Sequence, residues 1–242
     1  IPKKTIAIGG TSGKSTTSAM LFDILQYAGL EPGIISGAGL VSLIKKGKIG
    51  NAATGKGEWL VIEADESDGS IVQYKPETGV LLNVDKDHKE IDVLMDIFDV
   101  FKKNTRGAFI VNRSHPLAAK LSRDESTDFS ADPQVPAGYT ARNFQQSGLT
   151  IQFTINDEPF ELQTVGRHNM ENALAAATTA ALLGVSLKTA SAALKNYEGI
   201  YRRHQVLGNK NGVWVIDDYA HNPAKCAASI AAWHGFSSPL RG

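Results

Sequence analysis

The stretch TIAIGGTSGKSTTSAML, residues 5–21, decides the fold. Its first residues are apolar and end in a glycine pair, and apolar residues recur at helical spacing after Gly13, Lys14 and Ser15. A strand, a glycine-rich loop and a helix in this order direct backbone N–H groups at one point, which favours a bound phosphate. The common phosphate-loop pattern G-x-x-x-x-G-K-[ST] requires glycine at the position that Ile8 occupies. The alternative is a tight strand–helix turn with a solvated lysine.

Composition excludes several classes of protein. With 42% apolar and 21% charged residues, the 242-residue chain is typical of a globular protein. Basic and acidic residues number 25 each, so no net charge attracts nucleic acid or an anionic membrane. No apolar run approaches the roughly 20 residues that a membrane helix needs. Cys226 is the single cysteine, which fits a reducing, cytoplasmic compartment. The start at Ile1, without Met, leads us to expect a fragment of a longer protein.

The pattern along the first half of the chain alternates between strand and helix. Continuous apolar runs at residues 59–64, 79–84 and 108–111 predict strands that are buried on both faces. Helical spacing predicts helices at residues 15–28 and 91–101. This order predicts an α/β fold with a P-loop and a doubly wound, mostly parallel sheet.

The second half of the chain has a different pattern of apolar and polar residues. Short alternating segments at 128–131, 140–144, 149–155 and 159–165 predict a small antiparallel sheet appended to the parallel one. Alanine-rich and apolar patterns predict helices at 172–183 and 187–194. A fresh strand is predicted at 213–217 after a turn at 208–212, where we place a domain boundary. The predicted domains are therefore residues 1–208 and 209–242.

Polar residues follow two of the predicted strands at the sheet edge where α/β proteins bind ligands. Four carboxylates lie within six residues at positions 63–68, and such a cluster raises its own pKa values unless a cation is near. Mg²⁺ with nucleotide phosphates is the natural partner for Glu63. His88 follows the next strand and would suit a second, Mn²⁺-tolerant metal site. The alternatives are that positions 63–68 form a solvated acidic turn and that His88 is a structural histidine.

Five motifs in order carry a resemblance to the Mur ligases, the ATP-dependent amide-forming ligases of peptidoglycan precursor synthesis. The motifs are GTSGKST at residues 10–16, EADESD at 63–68, Asn83 with DH at 87–88, GRHN at 166–169 with Asn172, and RR at 202–203 with DDYAHNP at 217–223. The family writes its loop as G-T-x-G-K-[ST]-T, with no glycine required at Ile8. Ser12, Asn222 and Gln205 differ from the residues common at these positions in the family. These differences bear more on the assignment of the substrate than on the assignment of ATP.

The resemblance implies the central ATPase domain of a three-domain enzyme, followed by the beginning of a Rossmann-like C-terminal domain. The implied partners are a UDP-N-acetylmuramate-type substrate, an amino acid (L-alanine, by the EADESD motif) and the N- and C-terminal domains of the same protein. Nucleic acid and membranes are not among them. The implied cofactors are ATP and Mg²⁺, with Mn²⁺ possible, and the fragment alone is expected to bind nucleotide without ligating.

The resemblance also implies roles for individual residues. The implied catalytic residues are Lys14, Glu63 and His88, and the implied metal ligands are Ser15, Glu63 and His88. The implied nucleotide-binding residues are Gly10, Thr11, Ser12, Gly13, Lys14, Ser15, Thr16, His168, Asn169, Asn172, Arg203 and Asp218.

Other interpretations remain open. Asn169 and Asn172 could cap the alanine-rich helix, Arg202 and Arg203 could be a solvated pair, and His115 is interpreted as structural. The function could instead be that of a recycling murein tripeptide ligase or a folylpolyglutamate synthase-like ligase. A P-loop ATPase or kinase, or a nucleotide-binding module without ligation, belongs to another class.

Overall fold

The computed structural model describes residues 3–86, 89–203, 205–220 and 223–234. The strands are β1 (Lys4–Gly9), β2 (Gly33–Ile35), β3 (Ala52–Ala53), β4 (Trp59–Glu63), β5 (Thr78–Leu81), β6 (Phe109–Val111), β7 (Phe129–Ser130), β8 (Tyr139–Ser147), β9 (Thr150–Ile155), β10 (Glu158–Leu162), β11 (Gln205–Lys210) and β12 (Val213–Asp217). The helices are α1 (Lys14–Tyr27), α2 (Val41–Ile44), α3 (Ile91–Asn104), α4 (Pro116–Ala119), α5 (Arg167–Leu182), α6 (Leu187–Leu194) and α7 (Pro223–His234), with a 3₁₀ helix at Ser70–Gln73. No helix in these ranges is both long and apolar enough to cross a lipid bilayer.

The central sheet has the order β3-β2-β4-β1-β5-β6. Its pairs are parallel except that β3 runs antiparallel to β2 at the edge. Near the end of β1, Ile8 lies opposite Glu63 of β4 and Val80 of β5. The loop after β1 therefore emerges beside the ends of both neighbouring strands. The predicted α/β fold with a mostly parallel sheet is confirmed.

Two hydrophobic cores lie on opposite faces of the central sheet. Ile6 and Ile8 point into the core that α1, α5 and the small sheet share, whereas Ala7 and Leu81 point into the core that contains Phe98 of α3. All five side chains are fully buried. Because both faces are covered, each strand is apolar at consecutive positions, as the sequence indicated.

A four-stranded sheet of order β10-β9-β8-β7 follows the central one. Strands β8, β9 and β10 are antiparallel, as predicted. The prediction is wrong for the segment at 128–131, because β7 pairs with β8 in parallel. The β9–β10 connection is a two-residue turn in which Asn156 and Asp157 have positive φ angles of 45° and 69°. Positive φ at both central positions is typical of a tight hairpin turn, and Asn and Asp tolerate it well.

Helix α5 begins at Arg167, five residues before the predicted start at residue 172. Gly166 ends the preceding loop with a φ of +87°, which glycine adopts without strain. Asn169 and Asn172 consequently lie inside the helix, and the two residues are only 6% and 9% exposed. The interpretation of these two residues as helix caps is wrong.

Strands β11 and β12 form a separate antiparallel hairpin. The predicted turn at 208–212 is narrower in the structure, because β11 continues to Lys210 and only Asn211 and Gly212 make the turn. These two residues have φ angles of 54° and 80°, and Asn-Gly is the preferred pair for such a turn. The domain boundary stays a prediction, and a boundary at residue 208 would divide this hairpin.

Candidate functional site

A cleft of about 610 Å³ opens at the ends of β1, β4 and β5. It is lined by twelve of the fourteen residues that the motifs indicated: Thr11, Ser12, Gly13, Lys14, Ser15, Thr16, Glu63, His168, Asn169, Asn172, Arg203 and Asp218. Gly10 lies behind Lys14, and its carbonyl oxygen accepts a hydrogen bond from Lys14 Nζ. His88 falls outside the described residues. The structure thus brings residues from distant parts of the chain to one place.

Lys14 is the cation of the loop between β1 and α1. Its Nζ donates to the carbonyl oxygen of Gly10 at 2.7 Å and to Glu66 Oε2 at 2.7 Å, and lies 4.0 Å from Asp65 Oδ1. Glu66 is 5% exposed, so its carboxylate is buried against this ammonium group. The cation that the acidic cluster needs is therefore Lys14. A phosphate that approaches the loop must compete with Glu66 for it.

Glu63 stands at the end of β4 with both carboxylate oxygens engaged. Oε1 accepts from Ser36 Oγ at 2.6 Å and from the backbone N–H of Gly37 at 2.7 Å. Oε2 accepts from Ser15 Oγ at 3.0 Å. The first pair of bonds fixes the carboxylate and turns its other oxygen toward the loop.

The Ser15–Glu63 pair fits Mg²⁺. A hydroxyl and a carboxylate are hard oxygen donors, and Mg²⁺ typically takes one or two protein ligands and fills its shell with water and phosphate. The described residues contain no group of three or more His, Cys, Asp or Glu side chains suited to a metal ion. This donor set suits a metal that arrives with a nucleotide rather than one in an all-protein cage.

Asn83 holds the first half of the loop. Its Oδ1 accepts from Thr11 Oγ1 and from the backbone N–H of Ser12, both at 2.9 Å. Its Nδ2 returns a bond to the carbonyl oxygen of Ser12 at 3.2 Å. The side chain after β5 therefore fixes the backbone of residues 11 and 12, which line the cleft.

The opposite wall of the cleft comes from the start of α5. Asn172 Oδ1 accepts from Thr17 Oγ1 of α1 at 3.2 Å, and Asn169 Nδ2 donates to Thr164 Oγ1 at 2.9 Å and to the carbonyl oxygen of Val165 at 2.8 Å. Asn172 Oδ1 also lies where a Cβ on Gly13 would come within 2.5 Å of it. Asn172 thus joins α5 to the start of α1 and to the loop that precedes it.

The junction with the β11–β12 hairpin closes one end of the cleft. The ring of Tyr219 lies 5.6 Å from the guanidinium of Arg202 and 5.5 Å from that of Arg203. Arg202 also pairs with Asp217 at 3.3 Å. Asp218 Oδ1 accepts from the backbone N–H of Ala220 at 2.8 Å. The two arginines are therefore not merely a solvated pair, since both contact the junction.

Asp85 and His115 form a hydrogen-bonded pair beside the loop that sequence reasoning missed. His115 Nε2 lies 3.1 Å from Asp85 Oδ1, and the His115 hydrogen bond is the main cause that holds the pKa of Asp85 below its usual value. Asp85 lines the cleft. No local motif could have identified the pair, because the two residues are 30 positions apart and meet only through β5 and β6. Ser36 beside Glu63 and Thr17 beside Asn172 are likewise pairs of residues distant in the sequence, which only the folded chain brings together.

Comparison with known proteins identifies the family. The Mur ligase middle domain matches residues 8–180, which is more than half of the chain. The chain belongs to the Mur ligase family. The resemblance carried by the five motifs is thereby confirmed.

Curated Mur ligases align with nearly the whole chain. The UDP-N-acetylmuramate–L-alanine ligase of Acaryochloris marina is 35% identical over 243 residues, which cover 95% of this chain and 49% of that protein. The ligase of the same name from Syntrophomonas wolfei is 35% identical over 98% of this chain and 53% of that protein. The chain spans about half the length of the curated relatives it matches.

Solved Mur ligase structures share the fold. The UDP-N-acetylmuramate–alanine ligase of Thermotoga maritima superposes with a TM-score of 0.84 at 25% identity, over 97% of this chain and 54% of that one. A murein peptide ligase of Psychrobacter arcticus gives a TM-score of 0.74 at 26% identity, over 98% of this chain and 56% of that one.

Proposed function

We propose that this chain is the ATP-binding part of a ligase that joins the carboxylate of a UDP-N-acetylmuramate-type substrate to an amino acid. The names of the curated relatives favour L-alanine as that amino acid. The observation that carries the proposal is the convergence of Lys14 and the Ser15–Glu63 pair on one cleft. We place the reaction in the cytoplasm, where ATP is available, as a step of peptidoglycan precursor synthesis.

The proposed reaction has two steps. An oxygen of the substrate carboxylate attacks the γ-phosphorus of ATP, the bond to the β-phosphate oxygen breaks, and ADP leaves. The amino group then attacks the carbonyl carbon of the acyl phosphate and loses a proton, and inorganic phosphate departs with the bonding electrons. Both steps build negative charge on oxygen, so oriented N–H groups and cations account for most of the catalysis.

Lys14 is proposed to hold the β- and γ-phosphates. Its ammonium group is anchored at the loop by the carbonyl oxygen of Gly10, and Glu66 is the partner that a phosphate would replace. The backbone N–H groups from Gly13 to Thr16 lie where the loop passes into α1, and the positive end of the helix adds to their attraction for an anion.

Ser15 and Glu63 are proposed to hold Mg²⁺, which when bound neutralises phosphate charge and orients the transferred group. Ser36 and Gly37 keep the Glu63 carboxylate in place for this role. His88 is proposed as a ligand of a second, Mn²⁺-tolerant site near the substrate carboxylate. This last assignment rests on the family resemblance alone.

The adenine end of ATP is proposed to lie along the wall formed by His168 and Asn169. Asn172 supports that wall through its bond to Thr17. Arg203 and Asp218 are proposed to meet the nucleotide from the hairpin side of the cleft, where both residues line it.

The test measures phosphate release by the full-length protein. Release is expected only when a UDP-N-acetylmuramate-type substrate and an amino acid are both present, and phosphate release that ignores both additions refutes the ligase proposal. Lys14→Ala should abolish ATP binding in calorimetry, whereas Lys4→Ala, which removes a surface lysine paired with Glu58, should leave it unchanged. Unchanged affinity in the Lys14 variant removes the loop from the proposed site.

A panel of amino acids and the recycled murein tripeptide identifies the second substrate. The similarity to a murein peptide ligase structure makes the tripeptide the second candidate. Turnover with L-alanine and not with the tripeptide supports the first assignment, and the reverse pattern supports the second.

A further inference from the structure

His115 immediately precedes helix α4, and one of its ring nitrogens caps that helix. Nδ1 accepts a hydrogen bond from the backbone N–H of Ala118 at 3.5 Å, and Pro116 occupies the first turn. In a neutral imidazole the nitrogen that accepts carries no proton, so the proton lies on Nε2. Nε2 points at Asp85 Oδ1, 3.1 Å away, and donates to it. The cap thus selects the tautomer that can hold Asp85.

Asp85 connects this histidine to the phosphate loop. The backbone N–H of Asp85 donates to Thr11 Oγ1 at 2.9 Å, and Thr11 Oγ1 donates in turn to Asn83 Oδ1 at 2.9 Å. Asn83 Oδ1 also takes the backbone N–H of Ser12. A shift of the loop at Asp85 would therefore move the groups that set the backbone of Thr11 and Ser12.

We propose that His115 is a positioning residue, which holds Asp85 and through it keeps the phosphate loop in its nucleotide-binding conformation. The proposal rests on the proposed function, because it assumes that the loop binds nucleotide. His115 does not line the cleft, so it would act on a bound nucleotide only through Asp85. Its side chain is only 21% exposed, so its two contacts restrict it on both sides.

Two substitutions separate the contacts of His115. The amide of Asn reaches about as far as Nδ1, so His115→Asn keeps an acceptor for Ala118 and loses the donor to Asp85. The amide of Gln reaches about as far as Nε2, so His115→Gln keeps the donor to Asp85 and loses the cap. We expect His115→Asn to weaken ATP·Mg²⁺ binding about tenfold or more, the loss that one hydrogen bond to a charged group accounts for, and His115→Gln to retain the affinity.

Glu171 is a second carboxylate near His115, and a double-mutant cycle distinguishes a route through Asp85 from one through Glu171. If His115 acts through Asp85, His115→Asn should add nothing to the effect of Asp85→Ala. Additive effects of the two substitutions overturn the proposal.

The experiment uses calorimetry with ATP·Mg²⁺ and, on the same chain without nucleotide, amide chemical shifts of Thr11 and Ser12. His115→Asn should move these two shifts and His115→Gln should not. Retained affinity and unmoved shifts in the Asn variant, or losses in the Gln variant only, overturn the proposal. Wild-type chain that binds no ATP contradicts the proposed function instead, and the amide shifts still decide the role of His115.

Discussion

Asp23 should make the stability of the chain fall as the pH rises from about 4 to about 8. This carboxyl group lies on α1, and burial is the main cause that raises its pKa from 3.8 to about 7. Lys46 and a hydrogen bond from Ser42 oppose the shift, and Glu198 adds to it. Between the two pKa values the folded chain keeps the proton and the unfolded chain releases it, so stability decreases with pH and the loss is complete above about pH 8.

The magnitude follows from the shift. One pKa unit corresponds to about 1.4 kcal/mol, so a rise to about 7 sets an upper limit of about 4 kcal/mol. Asp23 keeps part of its surface in water, which screens these interactions, so we expect about 1–2 kcal/mol of pH-dependent loss. Tyr197 packs nearby, and its hydroxyl, buried without a hydrogen-bond partner among the described residues, does not offset the burial of the Asp23 carboxyl group.

Urea unfolding followed by circular dichroism at pH 5, 6, 7 and 8 tests this prediction. Asp23→Asn removes the titrating group, so the variant should gain about 1–2 kcal/mol relative to the wild type between pH 5 and pH 8. Asp96→Asn, on the exposed face of α3, is the control and should show no such trend. A difference between Asp23→Asn and wild type that stays constant with pH refutes the reasoning.

Two further substitutions probe the phosphate loop. Gly13→Ala places a Cβ at a φ of +83° and 2.5 Å from Asn172 Oδ1. The substitution should therefore destabilise the fold by more than the roughly 1–2 kcal/mol of left-handed backbone strain, and it should weaken ATP binding. Gly29→Ala is the control: at a φ of +76° with nothing within 4 Å, it should add only the backbone strain and leave the ATP affinity measured by calorimetry unchanged. Glu66→Gln should lower the free energy of unfolding in urea by about 1–3 kcal/mol, because Lys14 loses its ion pair. The same substitution should raise ATP affinity severalfold, because the Glu66 carboxylate no longer competes with phosphate for Lys14. Equal or weaker affinity would contradict that competition.

The central sheet could be predicted because its physical cause lies within each strand. Strands β4 and β5 are covered on both faces, so consecutive apolar residues identify them without reference to the rest of the chain. Strands β2 and β3 have three and two residues, which is too short for any periodicity to show. The start of α5 was misplaced because Asn169 and Asn172 resemble caps in the sequence. Their burial depends on partners in other elements.

The candidate site divides in the same way. Lys14, Ser15 and Glu63 are adjacent to strand ends, so parallel pairing alone brings them to one edge of the sheet. Ser36 and Gly37 contact Glu63 only because β2 pairs with β4 in the register that sets Ile35 opposite Ile62. A register of this kind is a property of the assembled sheet.

The loop's own bonds determine what nucleotide binding must replace. Lys14 is bonded to Glu66, and Ser15 is bonded to Glu63. A phosphate that takes Lys14 would leave a buried carboxylate to be satisfied elsewhere. Ser15 and Glu63, whose side chains share a hydrogen bond, would hold the metal ion, and its positive charge would then lie beside the acidic cluster. ATP and Mg²⁺ should therefore bind cooperatively, because the metal supplies positive charge beside the acidic cluster when the phosphate draws Lys14 away from it.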